Sequence, residues 1–176
     1  MTPPPTSSTS SSLSPQDALG LRTALAAARK SYAEGGVPIG ASLVLPHPPG
    51  EPSGAPVVLG QGHNSRVQLD SPILHGETAA LLDAGRLKAE VYRQATMYTT
   101  LSPCSMCSGA ILLYKIPRLV IGEHHNFVGD EELLRSRGVD VVVLDDPECI
   151  DLMERFIREK PEEWYEDIGE VPPAQQ

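Results

Sequence analysis

The chain has 176 residues, 40% of them apolar, and a formal net charge of −9. That length and apolar share support one domain with a real core. The negative balance argues against a polyanionic partner, because proteins that grip nucleic acid carry a basic footprint. Here the basic residues are scattered and the C-terminal third is acidic, which suits a small neutral or cationic substrate better than RNA or DNA. Three cysteines, an odd and sparse number, do not make a secreted disulfide framework. They fit a reducing compartment with thiolates free for metal. No apolar run approaches the ~20 residues of a membrane span. Residues 1–14 are Pro/Ser/Thr-rich and uncharged, matching neither a secretory signal nor an Arg-rich transit peptide. They read as a disordered tail, and the expected location is the cytoplasm, with the nucleus as the alternative.

Ser14-Pro15-Gln16-Asp17 supplies an N-cap, a first-turn proline and a first-turn acid. A helix should run from there to about Ser31 or Ala33 and stop at Gly35-Gly36. Val37 to Leu45 reads as a strand. Pro46 to Ala55, with four prolines and two glycines, is a long turn, and Pro56 to Gly60 closes the hairpin. Gln61 to Pro72 is polar and irregular. A helix is expected over His75 to Leu87, with Ala79, Ala80, Leu82 and Leu87 facing inward. Strands follow at Ala95 to Thr100, Arg118 to Gly122 and Val139 to Leu144. Helices fall between and after them, at Cys104 to Tyr114, Gly129 to Arg137 and Pro147 to Lys160. Pro161 to Val171 is acidic, yet it interleaves Trp164, Tyr165 and Ile168, so it should dock on the body. This order predicts an α/β fold: a three-layer α/β/α sandwich around a central mixed sheet of about five strands. The domain should span residues 15–171, with 172–176 a flexible end.

His75-Gly76-Glu77 and Pro103-Cys104-Ser105-Met106-Cys107 carry the chemistry. Each falls at the start of a predicted helix. Cysteines at i and i+3 share a helical face, so both sulfurs can point at one ion. Helix N-termini lower thiolate pKa values and favour the metal-bound form. A His/Cys/Cys set suits zinc, whereas hard cations need oxygen ligands. Three protein ligands leave the fourth tetrahedral position open, as catalytic sites do and closed structural sites do not. Glu77, two residues from the histidine, can move protons without binding the metal. In this order, H-x-E followed by P-C-x-x-C is the signature of the zinc-dependent nucleobase deaminases. C-x-x-C alone would serve structural zinc or a redox dithiol equally well. A structural site would need a fourth ligand, and His63, His124 and His125 are available, though each reads first as a surface or supporting residue. Cys149 reads as a small buried hydrophobe.

Beyond that motif, from about Leu19 to Glu170, the chain resembles the fungal-type cytosine deaminases of the cytidine deaminase-like superfamily. The stretches that carry the likeness are GGVPIG at 35–40, GQGHN at 60–64, LHGE at 74–77, YTTLSPCSMCSGAI at 98–111 and Ile116-Pro117-Arg118. Gly122, Asn126-Phe127, Arg137-Gly138 and the tail EWYEDIGE at 163–170 complete it. The resemblance implies hydrolysis of free cytosine to uracil and ammonia in pyrimidine salvage, by a homodimer with one catalytic zinc ion per chain. It implies that His75, Cys104 and Cys107 bind zinc and that Glu77 shuttles protons. Asn64 and Asp167 would hydrogen-bond the pyrimidine edge. The Gly76 backbone and Ser102 would line the base site, and Ile39, Phe127, Trp164 and Ile168 would wall it. Residues 161–171 would then be a lid. The Pro46 to Ala55 insertion, the N-terminal tail and His124-His125 depart from the family pattern and receive no role. Tyr165 stands where a Phe is common.

Three rivals compete with this reading. A tRNA adenosine deaminase would want a basic surface, which the charge disfavours. A guanine-type free-base deaminase would differ mainly in what Asn64 and Asp167 recognise. A zinc-stabilised subunit without turnover would have no use for Glu77.

Overall fold

The computed structural model describes residues 13–48 and 50–172. Most of the expected N-terminal tail and C-terminal end lies outside them. Helix α1 (Pro15–Ala33) starts as its residues dictate: the Ser14 side chain accepts from the Asp17 N–H and Pro15 occupies the first turn. It ends before Gly35, whose φ of 82° suits a residue without a Cβ. Strands β1 (Gly40–Leu45) and β2 (Val57–His63) form the hairpin, followed by the short α2 (Arg66–Leu69), α3 (Gly76–Ala84) and α4 (Ala89–Tyr92). Then come β3 (Thr96–Leu101), α5 (Ser105–Tyr114), β4 (Arg118–Glu123), α6 (Glu131–Ser136) and β5 (Asp140–Val143). The last two elements are α7 (Pro147–Glu159), capped by the Asp146 side chain, and α8 (Pro161–Asp167).

The five strands form one sheet in the order β2-β1-β3-β4-β5. β1 runs antiparallel to both neighbours, while β3, β4 and β5 are parallel. The expected mixed sheet and three layers are therefore present. Alternation along the strands divides the core. Ala41, Leu43 and Met97 pack with Ala80 of α3 and Ile111 of α5. Val44, Tyr98 and Val120 on the opposite face pack with Ala24 of α1. The helices lie directly on the strands: a Cβ at Gly60 would sit 2.4 Å from the Ala80 carbonyl, and one at Gly40 would sit 2.1 Å from that of Ala24. A third cluster joins Val37, Ile39 and Leu101 to Met153, Phe156 and Trp164, and so seats α7 and α8 beside the ends of the strands.

Several expectations about elements change. Residues 61–72, read as irregular, hold the end of β2 and the helix α2. The strand expected from Val37 starts at Gly40; the Pro38 nitrogen has no proton for a ladder, and the Ile39 N–H bonds locally to the Val37 carbonyl. The helix expected to reach Leu87 stops at Gly85, whose φ is 69°. Leu82, expected to face inward, is 67% exposed. It lies two positions from the buried Ala80, on the opposite side of the helix. The acidic tail, read only as docked, is the helix α8.

Candidate functional site

The site lies at the C-terminal ends of the parallel strands β3 and β4, where open α/β sheets place their ligands. His75 is the N-cap residue of α3 and Cys104 that of α5, both with extended backbone. Cys107 lies in the first turn of α5. Two helix N-termini thus meet over the strand ends and direct their positive dipole ends at the same point. The ligand atoms of His75, Cys104 and Cys107 all lie within 4.8 Å of one another, and no other such group occurs among the described residues.

The donor set fits zinc in kind and in spacing. Zinc–sulfur and zinc–nitrogen bonds of about 2.3 and 2.05 Å at the tetrahedral angle would separate those ligand atoms by about 3.6 Å. The Cys104 Sγ to His75 Nδ1 distance is 3.5 Å. The His75 Nε2 faces Asp167 Oδ1 at 3.6 Å, the carboxylate partner that a metal-ligating imidazole ordinarily has. Cys104 is drawn down to about 4, first by its hydrogen bond with Cys107 and, against burial, by His75. Cys107 is pushed up, chiefly because it gives that hydrogen bond to Cys104 and because it is buried. Burial lowers His75, but the Cys104 hydrogen bond and the neighbouring negative charges outweigh it and bring it to about 9. The cluster thus holds protons and charge among its own groups, and a bound cation takes the place of those shared protons.

Glu77 is buried one helical residue beyond Gly76, and the Thr99 hydroxyl donates to its Oε1 at 3.0 Å. Burial pushes its carboxyl up. Asp167 is also raised by burial, with His75 and Asn64 pulling the other way. The Asn64 Nδ2 donates to Asp167 Oδ1 at 2.7 Å, and Asn64 Oδ1 accepts the Arg66 N–H at 2.9 Å. Asn64 therefore ties α8 to the start of α2.

A small cavity sits over the ligands. Ile39, His75, Glu77, Leu101, Ser102, Cys104, Phe127, Trp164, Asp167 and Ile168 line it. Phe127 meets Trp164 edge-on, with ring centroids 6.1 Å apart. The free space is ≈ 20 Å³, about the volume one water needs, so α8 closes over the site in this conformation. Asn64 and Gly76 are not among the residues that line the cavity in this closed conformation. Ser102 lines the cavity, and its hydroxyl donates to Glu131 Oε1 at 2.9 Å. His63 turns toward Glu34 at 3.6 Å, while His124 and His125 face Glu131 and Asp145. None of the three joins the ligand cluster, so the closed structural site fails for want of a fourth ligand among the described residues.

Sequence reasoning missed Thr99 and Leu101. A period-2 reading of β3 could have found them, since both share the face that ends at the zinc ligands. It also gave no role to Glu123 and Glu131, whose burial follows from a loop fold that no local pattern announces.

Comparisons with known proteins agree with this geometry. The family model of the cytidine and deoxycytidylate deaminase zinc-binding region matches residues 14–123. A cytosine deaminase of Candida albicans is 57% identical over 154 residues, covering 88% of this chain and 97% of that protein. A tRNA-specific adenosine deaminase of Haemophilus influenzae is 34% identical over 155 residues, covering 81% of this chain and 84% of that one. Among solved structures, a tRNA:A34 deaminase superposes with a TM-score of 0.61 at 28% identity, over 77% of this chain and 99% of its own. A guanine deaminase from Nitrosomonas europaea, at 20% identity and a TM-score of 0.58 over 81% of this chain and 84% of its own, shares the fold.

Proposed function

Because this chain belongs to the cytidine and deoxycytidylate deaminase family, we propose that it hydrolyses free cytosine to uracil and ammonia. It is a zinc-binding deaminase, a hydrolase, with His75, Cys104 and Cys107 placed to hold the ion. The observation that carries the choice of substrate is α8. Its Trp164 and Asp167, with Ile168 after it, close over the zinc ligands and bring an aromatic wall and a carboxylate to the small cavity above them, a covering that suits a small ring enclosed on lid closure better than a polynucleotide. The net charge of −9 and the 57% identity with the Candida albicans protein support the same reading against tRNA.

Zinc in this ligand set supplies water activated near neutral pH. The residues of the chain do the rest. Glu77, anchored through one oxygen by Thr99, takes a proton from the water and delivers protons to the ring nitrogen and then to the departing amine. Its burial raises the carboxyl above its ordinary value, which favours the proton-holding form that donates to the substrate. Asp167 accepts from the pyrimidine edge, and Asn64 holds Asp167 in place. Phe127 and Trp164 enclose the ring, and Ile39 and Ile168 complete the apolar wall. Substrate exchange requires α8 to lift, since the closed cavity has no room for a pyrimidine. This makes residues 161–171 a lid.

We further infer a homodimer. Leu82 of α3, Met106, Leu113 and Tyr114 of α5, and Ile73 in the segment just before α3 are exposed together, an apolar face of the kind that marks a protein interface. No helix among the described residues is long and apolar enough to cross a membrane. We place the protein in the cytoplasm, with the nucleus as the alternative, and in pyrimidine salvage. The deciding experiment is ammonia release from cytosine, cytidine, adenine and guanine by the purified protein. Cytosine turnover without cytidine turnover is expected; turnover of guanine or adenine alone would overturn the substrate.

A further inference from the structure

We propose that Glu123, which takes no part in the chemistry above, is a positioning residue for ring recognition: it fixes the loop that carries Phe127. This rests on the deaminase reading of the cavity. Glu123 ends β4 and is fully buried. Its Oε2 accepts the His125 N–H at 2.6 Å and the Asn126 N–H at 3.1 Å, and its Oε1 accepts Asn126 Nδ2 at 3.0 Å. A buried carboxylate is costly without such partners, so loop and carboxylate hold each other. The Glu123 carbonyl also accepts the Ser102 N–H at 3.1 Å.

The far end of the loop is tied in the same way. The Gly129 N–H donates to Ser102 Oγ at 3.0 Å, and that hydroxyl donates to the buried Glu131. Glu131 also meets His124 Nδ1 at 3.1 Å and Arg135 Nη2 at 3.1 Å. Residues 124–129 are thus clamped between two buried carboxylates, with Phe127 in the middle and edge-on to Trp164. His124 and His125 find their place here: the His124 ring meets Glu131, and the His125 backbone N–H donates to Glu123. The two aromatic walls therefore stand on different supports: Trp164 on the lid, which must move, and Phe127 on a clamped loop. The fixed wall sets where the ring lies when the lid closes.

The test is Glu123→Gln, which keeps size but sets an amide N–H group against the Asn126 amide. KM for cytosine should rise about tenfold, the worth of one hydrogen bond to a charged acceptor, while kcat falls by less than about threefold. Trp164 is the only tryptophan, so its emission should shift with the displaced Phe127. Glu123→Gln combined with Asn126→Asp exchanges donor and acceptor, and should restore both KM and emission. A folded, zinc-loaded Glu123→Gln protein with unchanged KM and emission overturns the proposal. So does a folded double variant that fails to recover, which is the behaviour of a residue that only supports the fold. If Glu123→Gln does not fold, Asn126→Ala, which deletes one donor and leaves two, takes its place with the same outcomes. The wild type is assayed alongside. Absence of cytosine turnover there defeats the substrate reading, and Trp164 emission in the variants then still decides the positioning role.

Discussion

Replacing Leu113 by glutamate should split the proposed homodimer, and the structure sets the size of the effect. Leu113, Leu82 and Ile73 are 73%, 67% and 61% exposed in the single chain. Fully burying such a side chain is worth about 2 kcal/mol. Scaled by those fractions, the three supply about 4 kcal/mol per protomer and about 8 kcal/mol for a symmetric pair. Association costs about 4–15 kcal/mol, so each leucine matters to the balance. Leu113→Glu acts twice by symmetry and removes about 3 kcal/mol, a weakening of roughly 150-fold in Kd. Desolvating two new carboxylates adds to that. Sedimentation velocity over a concentration series should show the variant monomeric where the wild type is dimeric. A variant that sediments with the wild type, or a wild type that is monomeric throughout, would refute the reasoning. Because α3 and α5 carry zinc ligands and Glu77 at their N-termini, the monomeric variant should also lose zinc to a chelator faster.

Four further outcomes are expected. Glu77→Gln should keep zinc and fold but lose roughly 10²–10⁴-fold in kcat, the usual span of acid–base catalysis; metal content and ammonia release measure both, and substantial turnover would sink the shuttle role. Cys104→Ala should lose the metal and much of the thermal stability together, since zinc binding is coupled to folding; a variant with wild-type zinc and melting temperature would remove Cys104 from the ligand set. Truncation after Lys160 removes Trp164 and Asp167 from the cavity and should abolish activity with zinc still bound; a fully active truncation would refute the lid. Asp17→Asn should lower stability at neutral pH and not in acid. Burial raises the Asp17 carboxyl, but hydrogen bonds from Arg118, Tyr98 and Ser14 outweigh it and hold the carboxyl below its ordinary value. A depressed carboxyl contributes stability above its unfolded pKa and loses it as pH falls through the folded one. The melting-temperature gap between wild type and variant should therefore close below about pH 4, and a gap that does not change with pH would contradict the linkage.

The zinc motif, its open fourth position and the fold class were legible because each is a local or periodic property. A His-x-Glu and a Cys-x-x-Cys at helix starts need only helical spacing to present their ligands, and alternating helix and strand patterns leave few architectures. Phe127, Trp164, Asp167 and Ile168, named through the likeness to known deaminases, line one cavity, a grouping that no spacing reveals because these residues come from a loop and from the last helix and its end. Leu82 was misread because a hydrophobic pattern cannot tell a face turned to the sheet from one left exposed. Only the packed chain showed the Asn64–Asp167 tie, the Thr99 anchor on Glu77 and the clamp that Glu123 and Glu131 place on the Phe127 loop. Sequence by itself determined which atoms can bind a metal and move a proton, since that chemistry belongs to side chains a few residues apart. The tertiary structure decided what sits above the metal and how much room it leaves, since those depend on which distant segments pack together.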